Sequence, residues 1–342
     1  MKILIISPTQ SGIGGIAQHV QGLTKFLKKN GHEVEIISSE NTFTLPIKGL
    51  KNPSFMISSF LKAKFKKNQD IVHAHNIPAA LAMKSSSGKK ILSLHGIFSE
   101  QIEQLHGKTT RKISEKYEKD ALTWADAITV ISKEAFDYYT NLGYNVFQVP
   151  NAIDISSFSS KEDRRYKKQI VFAGRLSREK GIDNLIAIAK KLPSDTHLII
   201  LGTGPEEQKI KDLVKTLQNV HYLGYQIKED TISLIRGSDI LIQPSLIEGI
   251  SSTLLESMVC NTAIIASNVG GNIELIENNI NGIIINPQDI DSFVKQIITL
   301  LNKVELRKDL ENKALKTVEK YDWNQVGNLY LNIYESVLDK SK

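Results

Sequence analysis

The chain has 342 residues, of which 41% are hydrophobic and 23% are charged, a balance that excludes a disordered or collagen-like chain. The single cysteine, Cys260, excludes an intrachain disulfide and a thiolate zinc cluster. The length suggests about two domains, and the net charge of +6 is uneven, because residues 1–150 carry 19 Lys and Arg against 12 Asp and Glu. This basic excess is typical of a solvated surface or of a surface that meets an anionic partner such as a membrane or a phosphorylated acceptor.

Short apolar runs alternate with longer segments of helical periodicity along the whole chain. Strands are predicted at 3–7, 33–38, 70–74, 90–94, 127–131 and 145–149, and again at 169–173, 197–201, 220–223, 240–243, 263–266 and 282–285. Helices are predicted between them, for example at 16–29, 182–191 and 206–217. Continuous apolar strands that alternate with helices predict parallel sheets covered on both faces.

The polar and charged stretch 159–168 separates the two series of strands. It predicts an α/β protein of two Rossmann-like, doubly wound domains, 1–160 and 161–322, with a cleft between them. The last segment has apolar positions at helical spacing, namely Val326, Leu329, Tyr330, Ile333, Tyr334 and Val337. We expect a terminal helix over about 323–342 that packs back on the first domain, with a packing role for this stripe.

The first eight residues are typical of a strand rather than of a signal peptide, and no apolar run reaches the roughly 18 residues of a spanning helix. The expected location is therefore the cytoplasm. Segment 53–67 mixes bulky apolar residues with four lysines. It predicts either a basic amphipathic helix in peripheral contact with anionic lipid at the inner face of the membrane, or an ordinary covering helix with one solvated face.

The first candidate site is the glycine-rich loop after the first strand. Gly12, Gly14 and Ala17 satisfy a loose G-x-G-x-x-A pattern, and Glu33 or Glu35 follows about 20 residues later, as in dinucleotide-binding sites. Glycines let backbone amides approach a phosphate, and a helix N-terminus favours negative charge. The loop from Pro8 is long for a nicotinamide site, which favours an anion-binding loop, and a purely structural turn is the remaining alternative.

The second candidate site lies in the other half of the chain. Arg175 and Lys180 follow the strand 169–173, at the strand end where open α/β sheets bind ligands. An arginine and a lysine at that edge can hold a pyrophosphate through charge-assisted hydrogen bonds. The alternative is an exposed basic turn.

The third candidate site is a pair of carboxylates. Glu248 is predicted on the loop after strand 240–243, and Glu256 in the first turns of the next helix. The amides near Ser251 and Ser252 are helix-start donors that an anion could use. Carboxylates accept hydrogen bonds from hydroxyl groups, as recognition of a sugar and a ribose requires. Alternatively, Glu256 only complements the helix dipole.

With these motifs the sequence resembles the retaining GT-B glycosyltransferases of group 1. Besides the Glu–seven residues–Glu segment, the matching motifs are Gly14-Gly15-Ile16-Ala17-Gln18-His19-Val20, Val149-Pro150-Asn151-Ala152-Ile153-Asp154, Gly174-Arg175-Leu176, Glu179-Lys180-Gly181 and Val269-Gly270-Gly271. They occur in the family's order, and the resemblance spans residues 1 to about 335. The chain departs from the pattern after Gly249, where Ile250-Ser251 replaces Phe-Gly or Leu-Pro, and at Asn261-Thr262-Ala263, where Gly-Thr-Pro is expected. These departures leave the donor open.

The resemblance implies a role for each matching residue. Arg175 and Lys180 would bind the donor pyrophosphate and stabilise the departing nucleotide diphosphate, and Glu248 would contact the transferred sugar. The cleft histidine His95 would meet the sugar or its phosphate, unless it is simply a satisfied strand-end residue. The donor-binding set implied is Gly14, Gly15, Ser251, Ser252, Tyr225 and Glu256, in which Glu256 contacts the ribose and Tyr225 the base.

The implied function is transfer of a hexose-type sugar, with retention, from a UDP-, GDP- or ADP-sugar to a glycan, lipid-linked or small-molecule hydroxyl, as in cell-envelope polysaccharide or glycolipid synthesis. No metal, cofactor or nucleic acid is expected. Two patterns resemble metal sites. Asp289 and Asp291 are better explained as a helix cap and a first-turn acidic residue. His73 and His75 could lie on one side of a strand but lack a matched third ligand. A sugar-nucleotide epimerase and an NAD-dependent dehydrogenase are the alternative functions.

Overall fold

A computed structural model describes residues 1–10, 15–47, 49–96 and 108–339, without the side chains of residues 108–114. The chain divides into two compact units. Unit 1 comprises Met1–Ala152 together with Trp323–Lys342, and unit 2 comprises Ile153–Asp322. Unit 1 is therefore built from both ends of the sequence.

Unit 1 contains a parallel sheet of six strands. The strands are β1 (Lys2–Ser7), β2 (Glu33–Ser38), β3 (Ile71–His75), β4 (Lys89–Leu94), β5 (Ala127–Val130) and β6 (Val146–Gln148), in the order β2-β1-β3-β4-β5-β6. Among the described residues, the helices of this unit before the terminal one are α1 (Gly15–Lys29), α2 (Lys51–Ala63), α3 (Ile77–Ser85), α4 (Lys108–Thr123) and α5 (Lys133–Asn141). Successive residues of β1 join different hydrophobic cores: Leu4 packs in one and Ile5 in the other. The reason is that successive side chains of a strand point to opposite faces of the sheet.

Unit 2 also contains a parallel sheet of six strands, but in a different strand order. Its strands are β7 (Gln169–Ala173), β8 (His197–Leu201), β9 (Val220–Gly224), β10 (Ile240–Gln243), β11 (Ala263–Ser267) and β12 (Ile283–Ile285), all parallel, in the order β12-β11-β10-β7-β8-β9. Its helices are α6 (Ile182–Ala189), α7 (Glu207–Thr216), α8 (Lys228–Arg236), α9 (Ser252–Val259), α10 (Asn272–Leu275), α11 (Ile290–Asn302) and α12 (Val304–Val318). Phe172 and Val171 of β7 likewise join two different cores. The predicted fold class, two Rossmann-like parallel sheets, is confirmed.

The strand order of unit 2 indicates where a ligand is expected to bind. From β7 the chain proceeds through β8 to β9 on one side, and then through β10 to β12 on the other side. The order therefore reverses between β7 and β10, and the connections after these two strands leave in opposite directions. Open α/β sheets bind ligands in the crevice at the carboxyl ends of such a pair.

The terminal helix α13 (Trp323–Asp339) packs on α1 within unit 1. A Cβ atom at Gly22 of α1 would lie 2.2 Å from the Trp323 ring, and one at Gly327 would lie 2.4 Å from Phe26. Glycine at both positions thus permits the two helices to approach closely. The predicted apolar stripe is buried except at Leu329, which is 42% exposed, so the prediction was wrong for that residue.

The two acidic residues at 289 and 291 belong to a helix start, as predicted. The carboxylate of Asp289 accepts a hydrogen bond from the Ser292 amide at 3.0 Å and caps α11. Asp291 follows in the first turn and pairs with Lys191 at 2.6 Å. Asp289 thus stabilises the N-terminus of α11, and Asp291 complements the helix dipole there while it pairs with Lys191.

Candidate active site

Two loops meet at the switch point of unit 2, one after β7 and one after β10. The first contains a 3-10 turn at Arg178–Lys180, and the second leads from Pro244 to α9. The Leu246 amide donates to the Glu179 carbonyl at 2.8 Å. Gly181 has a φ of +69°, and a Cβ atom there would lie 1.9 Å from the Pro244 carbonyl oxygen. Glycine at this position therefore lets the two loops pack backbone to backbone.

Glu248 stands at the centre of this loop pair. Its Oε1 and Oε2 atoms each lie 2.7 Å from Lys180 Nζ. The Oε2 atom also accepts from Gln243 Nε2 at 2.7 Å and from Ser245 Oγ at 3.0 Å. The side chain is only 8% exposed. Four contacts therefore hold this buried carboxylate in one orientation and balance its charge.

The Val269-Gly270-Gly271 motif packs against the Glu248 backbone. Gly270 has a φ of +45°, and a Cβ atom there would lie 1.8 Å from the Glu248 carbonyl oxygen. The Gly271 amide donates to that same oxygen at 3.3 Å. These glycines therefore support the loop on which Glu248 stands.

The turn that carries Arg175 is supported in the same manner. A Cβ atom at Gly202, whose φ is +119°, would lie 1.9 Å from the Gly174 carbonyl oxygen, and one at Gly204 would lie 2.2 Å from the Leu176 carbonyl oxygen. The Leu176 amide donates to the Thr203 carbonyl at 2.9 Å. Sequence reasoning missed this Gly202–Gly204 loop, although a Gly-x-Gly directly after a strand is a recognisable signal of close backbone approach.

Arg175 and Tyr225 are exposed at the carboxyl edge of this sheet, after β7 and β9 respectively. Among the contacts of the described residues, none links either side chain to the carboxylate of Glu248. The structure therefore brings Lys180, Glu248, Gln243 and Ser245 into direct contact. It leaves Arg175 and Tyr225 at the rim of the same edge.

Glu256 is the fifth residue of α9 and is buried, with 11% of its side chain exposed. Burial raises the pKa of Glu256 to about 6, and Lys228, 3.8 Å away, acts in the opposite direction. Acidic residues that complement the helix dipole lie in the first turn of a helix, whereas Glu256 lies beyond it.

Ser251 occupies the position that precedes α9, and Ser252 is the first residue of the helix. A serine at this position ordinarily accepts a hydrogen bond from an early helix amide. Here Ser251 makes no such cap and instead donates from Oγ to Gln243 Oε1 at 3.1 Å. The first amides of α9 are thus left without this side-chain acceptor.

In unit 1, four histidines form a group that we call the histidine cluster: the buried His19 of α1, the buried His73 and His75 of β3, and the partly buried His95 after β4. The His73 and His75 rings stack at 4.3 Å, and the His19 and His95 rings meet edge to face at 5.3 Å between centroids. Burial lowers the pKa of His73 to about 3 and that of His95 to about 4, and also lowers the pKa values of the other two. The cluster is therefore uncharged near neutral pH.

The histidine cluster is tied to α13. Tyr330 Oη lies 2.9 Å from His19 Nε2, and Tyr334 Oη lies 2.7 Å from His73 Nδ1. The His95 amide is held by Asn76 Oδ1 at 3.1 Å, with the Asn76 backbone at a φ of +63°. The two tyrosines thus have a polar role in addition to the predicted packing. Within the described residues, no group of three His, Cys, Asp or Glu side chains is arranged to hold a metal ion.

The glycine-rich loop is described only in part, because Gly12 and Gly14 lie outside the described residues. Gly15 is the first residue of α1, and a Cβ atom built there would meet none of the described residues within 4 Å.

Comparisons with known proteins match almost the whole chain. Residues 13–157 match the family model described as Glycosyltransferase Family 4, and residues 155–317 match the model described as Glycosyl transferases group 1. The phosphatidyl-myo-inositol mannosyltransferase of Mycolicibacterium smegmatis is 24% identical, over 98% of this chain and 94% of that protein.

Two solved structures illustrate the likeness in fold. Sucrose-phosphate synthase of Thermosynechococcus elongatus superposes with a TM-score of 0.83 at 19% identity, over 99% of both chains. HepE of Anabaena, in complex with UDP-glucose, superposes with a TM-score of 0.75 at 17% identity, over 98% of this chain and 100% of that one.

Proposed function

Because the chain is a group 1 glycosyltransferase with the GT-B fold, we propose that it transfers a hexose from a nucleoside-diphosphate sugar to an acceptor hydroxyl with retention. The observation that carries this proposal is the buried Glu248 carboxylate, held beside Lys180 at the switch point of unit 2. UDP is the first nucleotide to test, since HepE of Anabaena was solved with UDP-glucose.

Lys180 and Arg175 are assigned to the donor pyrophosphate. Departure of the nucleotide builds negative charge on the leaving oxygens, and cations fixed beforehand stabilise that charge in the transition state. Lys180 is already fixed by its two contacts with Glu248, whereas the exposed Arg175 can move to the phosphates. The backbone amides of Ser251 and Ser252, at the start of α9, and that of Gly15 are the further phosphate contacts in this proposal.

Glu248 is assigned to the transferred sugar and Glu256 to the ribose. With a pKa of about 6, Glu256 is ionised at pH 7.5 and can accept hydrogen bonds from two hydroxyl groups. Tyr225 is assigned to the base. His95, uncharged because burial lowers its pKa to about 4, is assigned to a sugar hydroxyl.

Retention is proposed to follow a front-face route. Glu248 would be the obvious carboxylate nucleophile, yet its oxygens already accept from Lys180, Gln243 and Ser245. Hydrogen bonds from three side chains lower the electron density that the Glu248 oxygens have available for attack on the sugar carbon. The acceptor hydroxyl would therefore approach the sugar from the face that the nucleotide leaves.

A thermal-shift screen of UDP-, GDP- and ADP-sugars tests donor binding, and turnover is then measured with the best donor. Arg175→Ala and Lys180→Ala should each lower kcat roughly 100-fold or more, as for loss of one transition-state donor. Lys191→Ala, which removes an exposed lysine of the same unit, is the matched control. Unchanged kcat in the two site variants, or no shift with any nucleotide sugar, would contradict the proposal.

For the acceptor, we propose a lipid-linked molecule reached at the inner, anionic surface of the cell membrane. Helix α2 has two apolar faces. Its Phe55, Ser59 and Ala63 are buried, while Ile57 is 62% exposed and Phe65, just beyond the helix, is 84% exposed. Leu61 lies between the latter two on the same face and is also exposed.

Charge complementarity supports this membrane contact. Lys64 and Lys67 lie on either side of Phe65 in the sequence and are exposed, whereas Lys62 donates to Asn41 and Lys66 pairs with Glu35. Exposed apolar side chains beside exposed basic ones bind anionic lipid surfaces. None of the helices in the described part of the chain is long and apolar enough to cross a membrane. The relative from Mycolicibacterium smegmatis is named for a phosphatidylinositol acceptor.

Vesicle flotation tests this contact. The full-length protein should float with vesicles that contain anionic lipid and less with neutral vesicles, and the doubly substituted variant Ile57→Ser, Leu61→Ser should float at least several-fold less. Ile273→Ser, which removes an exposed apolar side chain from unit 2, should float like the wild type. Absence of flotation with anionic vesicles at low salt would refute the membrane contact.

A further inference from the structure

Gln243 connects the catalytic loop to the start of α9. Its Nε2 atom donates to Glu248 Oε2 at 2.7 Å, and its Oε1 atom accepts from Ser251 Oγ at 3.1 Å. It is the last residue of β10 and is buried. One amide group therefore contacts the carboxylate at one end and a serine hydroxyl at the other.

The chemistry of the three groups fixes the rotation of this amide. An ionised carboxylate only accepts hydrogen bonds, so the amide must present Nε2 to Glu248. Its Oε1 atom then faces Ser251, whose hydroxyl must donate. The Ser251 side chain is thus directed to Gln243 and does not cap α9.

The consequence is an asymmetric carboxylate. The Oε2 atom of Glu248 accepts from Lys180, Gln243 and Ser245, whereas among the described residues only Lys180 donates to Oε1. Three donors use the acceptor capacity of Oε2. The remaining lone pair of Oε1 is therefore the one that a further hydroxyl group can use.

We propose that Gln243 and Ser251 are positioning residues that hold Glu248 so that Oε1 receives a hydroxyl of the transferred sugar. This inference rests on the proposed function. It predicts that loss of the Gln243 amide affects the step that moves the sugar more than it affects binding of the nucleotide. Gln243 is assigned no nucleotide contact, and Ser251 is assigned only its backbone amide, which the side-chain variants keep.

The experiment uses the full-length protein, with UDP and the nucleotide sugar that gives the largest thermal shift. Gln243→Leu should lower kcat roughly tenfold or more, while the Kd for UDP stays within about twofold, since a hydrogen bond to a charged group is lost without change at the nucleotide. Ser251→Ala and Ser251→Gly should show the same split with a smaller loss. Ser257→Ala, a buried serine of the same helix bonded to the Thr262 carbonyl, is the control and should retain wild-type kcat.

The double variant Gln243→Leu, Ser251→Ala separates positioning from general packing. If Ser251 acts only through the amide, the double variant should have the kcat of Gln243→Leu alone. Multiplied losses, an unchanged kcat in Gln243→Leu, or an equal loss of UDP affinity would each overturn the inference. A wild-type protein that neither binds nor turns over any of the UDP-, GDP- and ADP-sugars would instead refute the proposed function itself.

Discussion

Glu256→Gln should stabilise the protein at neutral pH while it weakens nucleotide binding. The pKa of Glu256 lies at about 6, against an ordinary value of 4.5, because the carboxylate is buried in α9. Ionisation therefore costs the folded state about 2 kcal/mol more than it costs the unfolded chain. Below pH 4.5 both states carry the proton, so the penalty is absent. It develops between pH 4.5 and about 6, where only the unfolded chain loses the proton, and is complete above that value.

Urea unfolding of the full-length wild type and variant at pH 4.0 and 7.5 measures this effect. At pH 7.5 the free energy of unfolding should be about 2 kcal/mol higher in the variant, which corresponds to a Tm of unit 2 that is roughly 4–8 °C higher. At pH 4.0 the two proteins should have nearly equal free energies of unfolding. Glu277→Gln, which changes an exposed loop carboxylate, should have no such effect. An equal difference at both pH values, or no gain at pH 7.5, would refute the reasoning. The affinity for UDP should fall in Glu256→Gln alone.

Two further predictions concern backbone packing and acid stability. Gly181→Ala should lower both Tm and turnover well beyond Gly143→Ala, because both glycines have positive φ but only a Cβ at Gly181 would collide with the Pro244 carbonyl oxygen; similar losses in thermal unfolding would contradict this. The urea midpoint of unit 1 should fall between pH 7.5 and 5.0, because burial lowers the pKa values of the histidine cluster. Below pH 6.5 the histidines bind protons in the unfolded chain but not in the folded state, which lowers the free energy of unfolding by about 1.4 kcal/mol per pH unit for each histidine. A urea midpoint that stays constant would contradict the prediction that these histidines are uncharged in the folded protein.

The sequence by itself determined the architecture and the position of the main charged residues. Runs such as Ile240–Gln243 are apolar along their length and end in polar loops, a local property that parallel, covered strands require. Ligands bind at the carboxyl ends of such strands, so the loops with Lys180 and Glu248 could be recognised before any contact was known. Local hydrogen bonding likewise made the Asp289 cap predictable.

Only the tertiary structure decided how these residues are held. In sequence, Gln243 is simply the polar end of an apolar strand, and nothing local indicates that its amide joins Glu248 to Ser251. The same holds for His73 and Tyr334, which lie 261 residues apart and meet because α13 returns to unit 1. Periodicity identifies the face that a helix buries, but the partner of each polar group on that face depends on which elements pack together. Burial of Glu256, and with it the raised pKa, follows from the same packing and has no signal in the sequence.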